Sequence, residues 1–283
     1  MLKIGQFECH SIETSEFGLD GGAMFGIIPK PLWEKKIPAD SQNRIPMVTR
    51  SLLLISDNKK ILVDTGNGTK WSEKLKHIYN IKTDRYNMES GLGNLGISSN
   101  EITDVICTHL HFDHVGGNTK WEDGKIVPTF PNAKYWMPKE NLDLAKHPSQ
   151  KDQGSFMEQD WKVLEENGMI QIVDGTSPFL EGIDFILTHG HTKGMLHPII
   201  SDGTQTLFYG ADIIPSSAHI PIPWIMAYDI DPVLTVDEKA KLLPKMLDEN
   251  WIIFFEHDQK VQAGTLKQEG KHFSLDKEIV ISG

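Results

Sequence analysis

Five short apolar runs each stop abruptly at a histidine or an aspartate, and this pattern constrains the chain more than any other feature. Ile61-Leu62-Val63 runs into Asp64-Thr65-Gly66, and Val105-Ile106-Cys107 runs into Thr108-His109. Phe185-Ile186-Leu187 runs into Thr188-His189-Gly190-His191, and Thr206-Leu207-Phe208-Tyr209 into Gly210-Ala211-Asp212. Ile252-Ile253-Phe254-Phe255 runs into Glu256-His257-Asp258. Runs this short, rich in β-branched and aromatic residues, read as buried strands. Strands whose carboxyl ends carry His or Asp predict one shared polar site at a sheet edge. Helices fill some gaps. Ser155 with Glu158 predicts a capped helix ended by Gly168, with Met157, Trp161 and Leu164 facing inward. Thr235 with Glu238 predicts another, burying Leu243, Met246 and Leu247, with Pro244 placed to kink or split it. Alternating strands and helices predict a layered fold, although the pattern does not say which strands pair.

The densest chemistry lies in Thr108-His109-Leu110-His111-Phe112-Asp113-His114-Val115-Gly116-Gly117-Asn118, directly after a predicted strand. Zinc takes imidazole nitrogen and carboxylate oxygen at about 2.0–2.2 Å, so one short loop can feed two neighbouring ions. Singly, His191 also reads as a loop histidine, Asp212 as a helix cap and His257 as a surface residue. Their common placement at strand ends joins them to the cluster. His189 stands two residues before His191 and is a candidate neighbour of that ligand. His10, His77, His147 and His272 fall in no motif. Cys107 ends a buried run and reads as a small apolar residue rather than a nucleophile.

The bulk properties narrow the partners. A formal net charge of −11 without any basic run argues against a nucleic-acid backbone as main partner. No stretch of 18 apolar residues exists to span a membrane, and the first residues lack the basic and apolar regions of a secretory signal. The two cysteines fit a reducing, cytoplasmic setting.

At this point the residues resemble a family. His109-Leu110-His111-Phe112-Asp113-His114 matches the HxHxDH signature of the metallo-β-lactamase superfamily. Asp64 in ILVDTG, His191 in HGHTKG, Asp212 in YGAD and His257 in FEHD match its other motifs in order. The resemblance covers essentially the whole chain. It implies a single α+β domain over residues 1–283, a four-layered αββα sandwich with the site at the edge of two packed sheets. Two divalent metal ions, zinc by type, are implied as cofactors. His109, His111 and His191 would hold the first, Asp113, His114 and His257 the second, and Asp212 would bridge them. Asp64 would orient a ligand through a hydrogen bond. Asp113 and Asp212 are the implied catalytic residues, with Asp113 moving a proton and a metal-bridging hydroxide attacking the substrate. A histidine at position 111, where di-iron redox members carry glutamate, favours hydrolysis.

A narrower resemblance rests on residues 20–33, on Phe130-Pro131-Asn132-Ala133-Lys134 and on residues 224–229. These are similar to the branch of quorum-quenching lactonases that act on N-acyl-homoserine lactones, which implies opening of lactones or esters as the reaction on a small-molecule substrate. Alternatives are phosphotriester or phosphodiester hydrolysis of the methyl parathion hydrolase type, and metal binding without catalysis. Two positions depart from the lactonase pattern: Met195 stands for a histidine, with His197 the next one, and Pro215 for a substrate-contacting tyrosine. Met24, Phe25 and Trp33, in the glycine-rich segment from Gly21, are candidate walls of a lid over the substrate. They fit packing in the core or at a dimer contact equally well. His219 and Tyr228 are the candidates to replace the missing tyrosine as donor to a substrate carbonyl. Relatives of this branch often pair through their N-terminal segments, so a homodimer is expected.

Overall fold

All five predicted runs are strands. The structure, a computed structural model, describes residues 2–175 and 179–282 and divides the chain into two compact units. One comprises Met1–Phe17, Val48–Gly175 and Ile281–Gly283, the other Gly18–Met47 and Thr176–Val280. The strands of the first sheet are β1 (Leu2–Ile4), β2 (Phe7–Asp20), β3 (Arg44–Ile55), β4 (Lys60–Val63) and β5 (Asp104–Ile106). A hairpin of β6 (Thr119–Glu122) and β7 (Lys125–Pro128) stands apart, and β8 (Lys134–Pro138) and β9 (Ile170–Val173) complete the sheet.

The order in that sheet is β1-β2-β3-β4-β5-β8-β9, and β4, β5, β8 and β9 run parallel. Parallel pairing brings the carboxyl ends of β4 and β5 to the same edge, which is why Asp64 and Thr108–His109 emerge together. Leu53, Leu62, Val105, Tyr135, Leu142 and Leu164 belong to the buried cluster on this sheet. Strands buried this completely need the continuous apolar runs seen in the sequence.

The second unit carries β10 (Ile183–Thr188), β11 (Met195–Ser201), β12 (Thr206–Tyr209), β13 (Ile252–Phe254), β14 (Ala263–Glu269) and β15 (His272–Ile279), paired in chain order. All neighbours are antiparallel except β12 and β13. A parallel pair requires a crossover, and the helix Pro232–Asp248 lies in that connection. Its N-cap is Asp231, whose carboxylate accepts from Leu234 N at 3.0 Å, with Pro232 in the first turn. Pro244 does not split it. The helix continues for 17 residues, because Leu243 and Met246 are buried on either side of the exposed proline.

The other predicted helix is corrected more substantially. A 3-10 turn at Glu158–Asp160 precedes a short helix at Lys162–Glu166, and Ser155 is not its cap. Instead the Ser155 carbonyl accepts from Phe112 N, and Phe156 forms a β-bridge with His111. This segment is held extended by the histidine-rich loop, so helix formation begins later. Trp161 and Leu164 are buried as expected, and Gly168, at φ +66°, ends the element. No described helix is long and apolar enough to cross a membrane.

Candidate metal centre

In the first unit, Asp64 organises the loop that follows β5. It adopts a positive φ of 54°, which turns its carboxylate back over the strand ends. Oδ1 accepts from Thr108 N at 2.7 Å, and Oδ2 accepts from Thr108 Oγ1 at 2.7 Å and from His114 Nδ1 at 3.0 Å. With its hydroxyl proton committed to Asp64, Thr108 Oγ1 accepts from His109 Nδ1 at 3.1 Å. One buried carboxylate thus fixes two tautomers: His109 and His114 both keep a lone pair on Nε2. His109 Nε2 lies 3.0 Å from His111 Nδ1, so two ring nitrogens converge in a way that a shared cation satisfies. Asp113 follows on the next turn, with Oδ1 3.9 Å from His114 Nε2.

Glycines let this loop close on itself. A Cβ on Gly116 would overlap the Asn67 carbonyl, and one on Gly117 would overlap the Thr65 carbonyl. Thr65 N and Gly66 N both donate to the His114 carbonyl, tying the DTG and HxHxDH motifs together. Lys70 donates to the carbonyls of Gly116 and Thr119 and pairs with Asp160 at 3.1 Å, all of them buried. Beside the loop, Phe112 packs against Trp71 (ring centroids 5.1 Å) and Tyr79 (5.2 Å). Burial, with Asp113 adding to it, raises the Tyr79 phenol above its ordinary value, so the hydroxyl keeps its proton. Nothing in the spacing of Lys70, Trp71 and Tyr79 marks them in the sequence.

The second unit presents its own three donors. His191 Nε2 lies 3.0 Å from Asp212 Oδ2, while His257 Nε2 lies 3.3 Å from Asp212 Oδ1. Each carboxylate oxygen faces a different histidine. Asp229 Oδ1 receives the His191 Nδ1 proton at 2.9 Å, and its other oxygen accepts from Met226 N at 3.2 Å. Burial opposes a charge on His191, but Asp212 and Asp229 outweigh it and hold the ring protonated up to about 9. Two carboxylates around one buried imidazole make a site that calls for positive charge. Glu238 accepts from His189 N at 2.7 Å and Gly190 N at 3.1 Å, clamping the HGH turn to its helix. Asp229 was not singled out in the sequence as a histidine partner, and Glu238 was read only as a capping partner of Thr235, a role that Asp231 takes instead. The only available signal for Asp229 was its place in a segment shared with relatives.

The other candidates sort by burial. Met24, Phe25 and Trp33 are 2%, 0% and 1% exposed, so as walls of a lid they are corrected to packing within the second unit. Phe25 stacks on Trp33 and on His219, at 5.3 Å and 4.6 Å. His219 is corrected as well. Ser216 Oγ lies 2.7 Å from its Nδ1 and the Met24 carbonyl 2.8 Å from its Nε2, leaving neither nitrogen for a substrate. Tyr228, 37% exposed, stays accessible. His197 is buried between Thr188 Oγ1 and the Tyr209 carbonyl, and burial lowers it to about 4, a structural histidine. His189 Nδ1 accepts from Gly194 N at 3.1 Å, within its own turn. Cys107 is buried and its thiol is pushed well above the ordinary range by burial and by Asp64, in keeping with an inert residue.

Imidazole and carboxylate donors in this number suit a divalent ion of the zinc type. The fold and these motifs define a class, and comparison agrees with it. Residues 44–257 match the Metallo-beta-lactamase superfamily, and the chain belongs to that superfamily of metal-dependent hydrolases.

More particular likenesses are lower in identity. The chain is 22% identical over 228 residues to an N-acyl homoserine lactonase of Bacillus cereus, covering 75% of this chain and 82% of that protein. It is 24% identical over 221 residues to the N-acyl homoserine lactonase AiiA of Bacillus thuringiensis subsp. kurstaki, covering 73% and 79%. Among solved structures, a probable metal-dependent hydrolase from Staphylococcus aureus superposes with a TM-score of 0.88 at 25% identity, covering 99% of this chain and 100% of the other. AidC, a dizinc quorum-quenching lactonase in complex with a product, superposes with a TM-score of 0.80 at 22% identity, covering 99% and 97%. The fold is therefore the α+β metallo-β-lactamase fold, as the motifs implied.

Proposed function

We propose that this hydrolase opens lactones or esters of the N-acyl-homoserine lactone type, using two divalent ions of the zinc type. His109, His111 and His191 would hold one ion and Asp113, His114 and His257 the other, with Asp212 shared. The observation that carries a two-ion reading is Asp212, whose two oxygens each face a different histidine nitrogen. The lactonase names of the relatives support the substrate class.

When bound, such a pair of ions polarises a carbonyl and supplies a water-derived nucleophile at neutral pH. The chain's own residues do the rest. Asp64 and Asp229 engage Nδ1 of His114 and of His191, so that the Nε2 atoms of these rings would be the ones to hold the ions. The Asp113 carboxylate receives the proton released on attack and returns it to the leaving alkoxide. Trp71, Tyr79 and Phe112 form an aromatic wall for an acyl chain, and the protonated Tyr79 hydroxyl is a donor for the substrate carbonyl. Tyr228 is the second candidate for that donor, since Pro215 stands where a tyrosine would serve in the lactonase pattern.

The test is hydrolysis by the zinc-reconstituted protein of a long-chain acyl-homoserine lactone, a γ-lactone, an aryl ester and paraoxon, with Asp212→Ala alongside. Lactone turnover lost in the variant supports the reading. Turnover of paraoxon alone transfers the assignment to phosphotriesters. Absence of any turnover from protein carrying two ions per chain overturns the substrate class.

A further inference from the structure

A cavity in the second unit has a volume of about 520 Å³, and the mechanism uses none of its lining. It lies between Lys36–Pro38, the Ser217–Pro221 segment, Asp258–Val261 and Ser274–Leu275. Its size falls within the range of about 300–1,000 Å³ typical of small-molecule sites.

The lining divides into two chemistries. Ile37, Pro38, Pro221, Val261 and Leu275 supply an apolar surface, while Lys36 and Lys260 supply two ammonium groups. Neither lysine pairs with a described carboxylate, although the chain as a whole carries a net charge of −11. Asp258 is the one carboxylate in the lining, and its charge is already engaged. Oδ2 accepts from Ser217 N at 2.9 Å and Ser217 Oγ at 2.6 Å, while Oδ1 accepts from Lys260 N and Val261 N, both at 2.9 Å. Four donors on two oxygens disperse that negative charge and make Asp258 a brace for the wall. The two lysines are thereby left to meet an anion from outside.

We propose that this cavity binds an aliphatic monocarboxylate, with its head at Lys36 and Lys260 and its chain against Ile37, Val261 and Leu275. A chain of roughly six to ten carbons suits a cavity of this size. A neutral alcohol of the same length lacks the group the lysines recognise, and an alkylammonium is repelled. The proposal does not depend on which substrate the metal centre turns over.

Octanoate is the probe, with octanol and octylammonium as controls, titrated calorimetrically into the metal-loaded protein. Octanoate is expected to bind more tightly than both controls. The exposed pair Lys36→Ala/Lys260→Ala is expected to weaken octanoate about tenfold at an unchanged melting temperature, and to leave octanol unaffected. A diazirine-bearing octanoate maps the site, with labels expected on peptides containing residues 36–46 or 258–275. Labels confined to peptides carrying residues 71–79 or 109–114 would assign the binding to the metal centre and overturn the proposal. Equal affinity for octanol, or an undiminished affinity in the double variant, would overturn it too.

Discussion

Replacing Asp229 with asparagine tests whether the second unit presents His191 to a metal. The two side chains are 1% and 2% exposed and meet at 2.9 Å, so water does not screen the contact. The asparagine amide has one oxygen where aspartate has two. If that oxygen keeps the His191 Nδ1 proton, the amide N–H is forced against Met226 N, which now donates to Asp229 Oδ2 at 3.2 Å. If the amide flips to accept from Met226, its N–H faces Nδ1 and drives the His191 proton onto Nε2, the nitrogen turned towards Asp212. Either outcome costs the ligand its orientation or its lone pair. Carboxylates that orient a metal-bound histidine are worth about 10–100-fold in affinity, equivalent to about 1.4–2.8 kcal/mol. We expect Asp229→Asn to weaken zinc binding within that range, measured by competition with a chromophoric chelator. In the metal-free protein, one of the two carboxylates that raise His191 to about 9 is lost. Its imidazole is therefore expected to titrate at lower pH by NMR. Unchanged zinc affinity together with an unchanged titration would refute the orienting role.

Two further outcomes follow from the packing. Lys239 is fully buried and donates to the carbonyls of His219, Pro221 and Trp224, at 2.5, 3.0 and 2.8 Å. Burial lowers its folded-state pKa to about 7 against the pull of Asp229, whereas the unfolded chain keeps the proton to about 10.4. Between those values the unfolded state binds more protons, so this lysine makes stability rise with pH from about 7 to about 10. Urea denaturation should show that rise for the wild type and its loss in Lys239→Met. The same variant should be destabilised by about 1–3 kcal/mol at pH 6, where the ammonium supplies a donor to each of the three carbonyls that methionine leaves unpaired. Gly116→Ala, which drives a methyl into the Asn67 carbonyl, should cost about 1–3 kcal/mol and lower zinc affinity. A melting temperature equal to wild type would contradict the close approach described for that loop.

The strands and the donors were legible because their signals are local. A buried strand needs an unbroken apolar run, and the polar side chains follow it directly, so Asp64, His109, Asp212 and His257 stand at the ends of such runs. Unlike Asp64, which ends such a run, Asp229 and Glu238 were hidden as partners of the histidine turn because that turn is remote from them in sequence. Asp229 meets His191 across 38 positions, and Glu238 meets His189 across 49. Lys70 reads as a surface residue until the Gly116 and Thr119 carbonyls are folded over it. Local propensity also misled at Ser155, where a capping pattern lost to a backbone hydrogen bond from Phe112. For Phe25 and His219, aromatic and polar character suggested ligand contact, yet the two rings stack on each other, and Ser216 and the Met24 carbonyl take the imidazole nitrogens.

Glu238 and Lys239 are consecutive, and between them they secure two separate segments of the second unit. Glu238 holds the backbone amides of the HGH turn, and Lys239 holds the carbonyls of the 219–224 loop. The two anchors bind groups of opposite polarity, so neither can substitute for the other. Such an arrangement separates what must stay constant from what can vary. Insertions or substitutions at positions 220–225 that preserve carbonyls for Lys239 leave the fastening of the HGH turn untouched. This makes the loop the natural place to graft new sequence when the protein is redesigned.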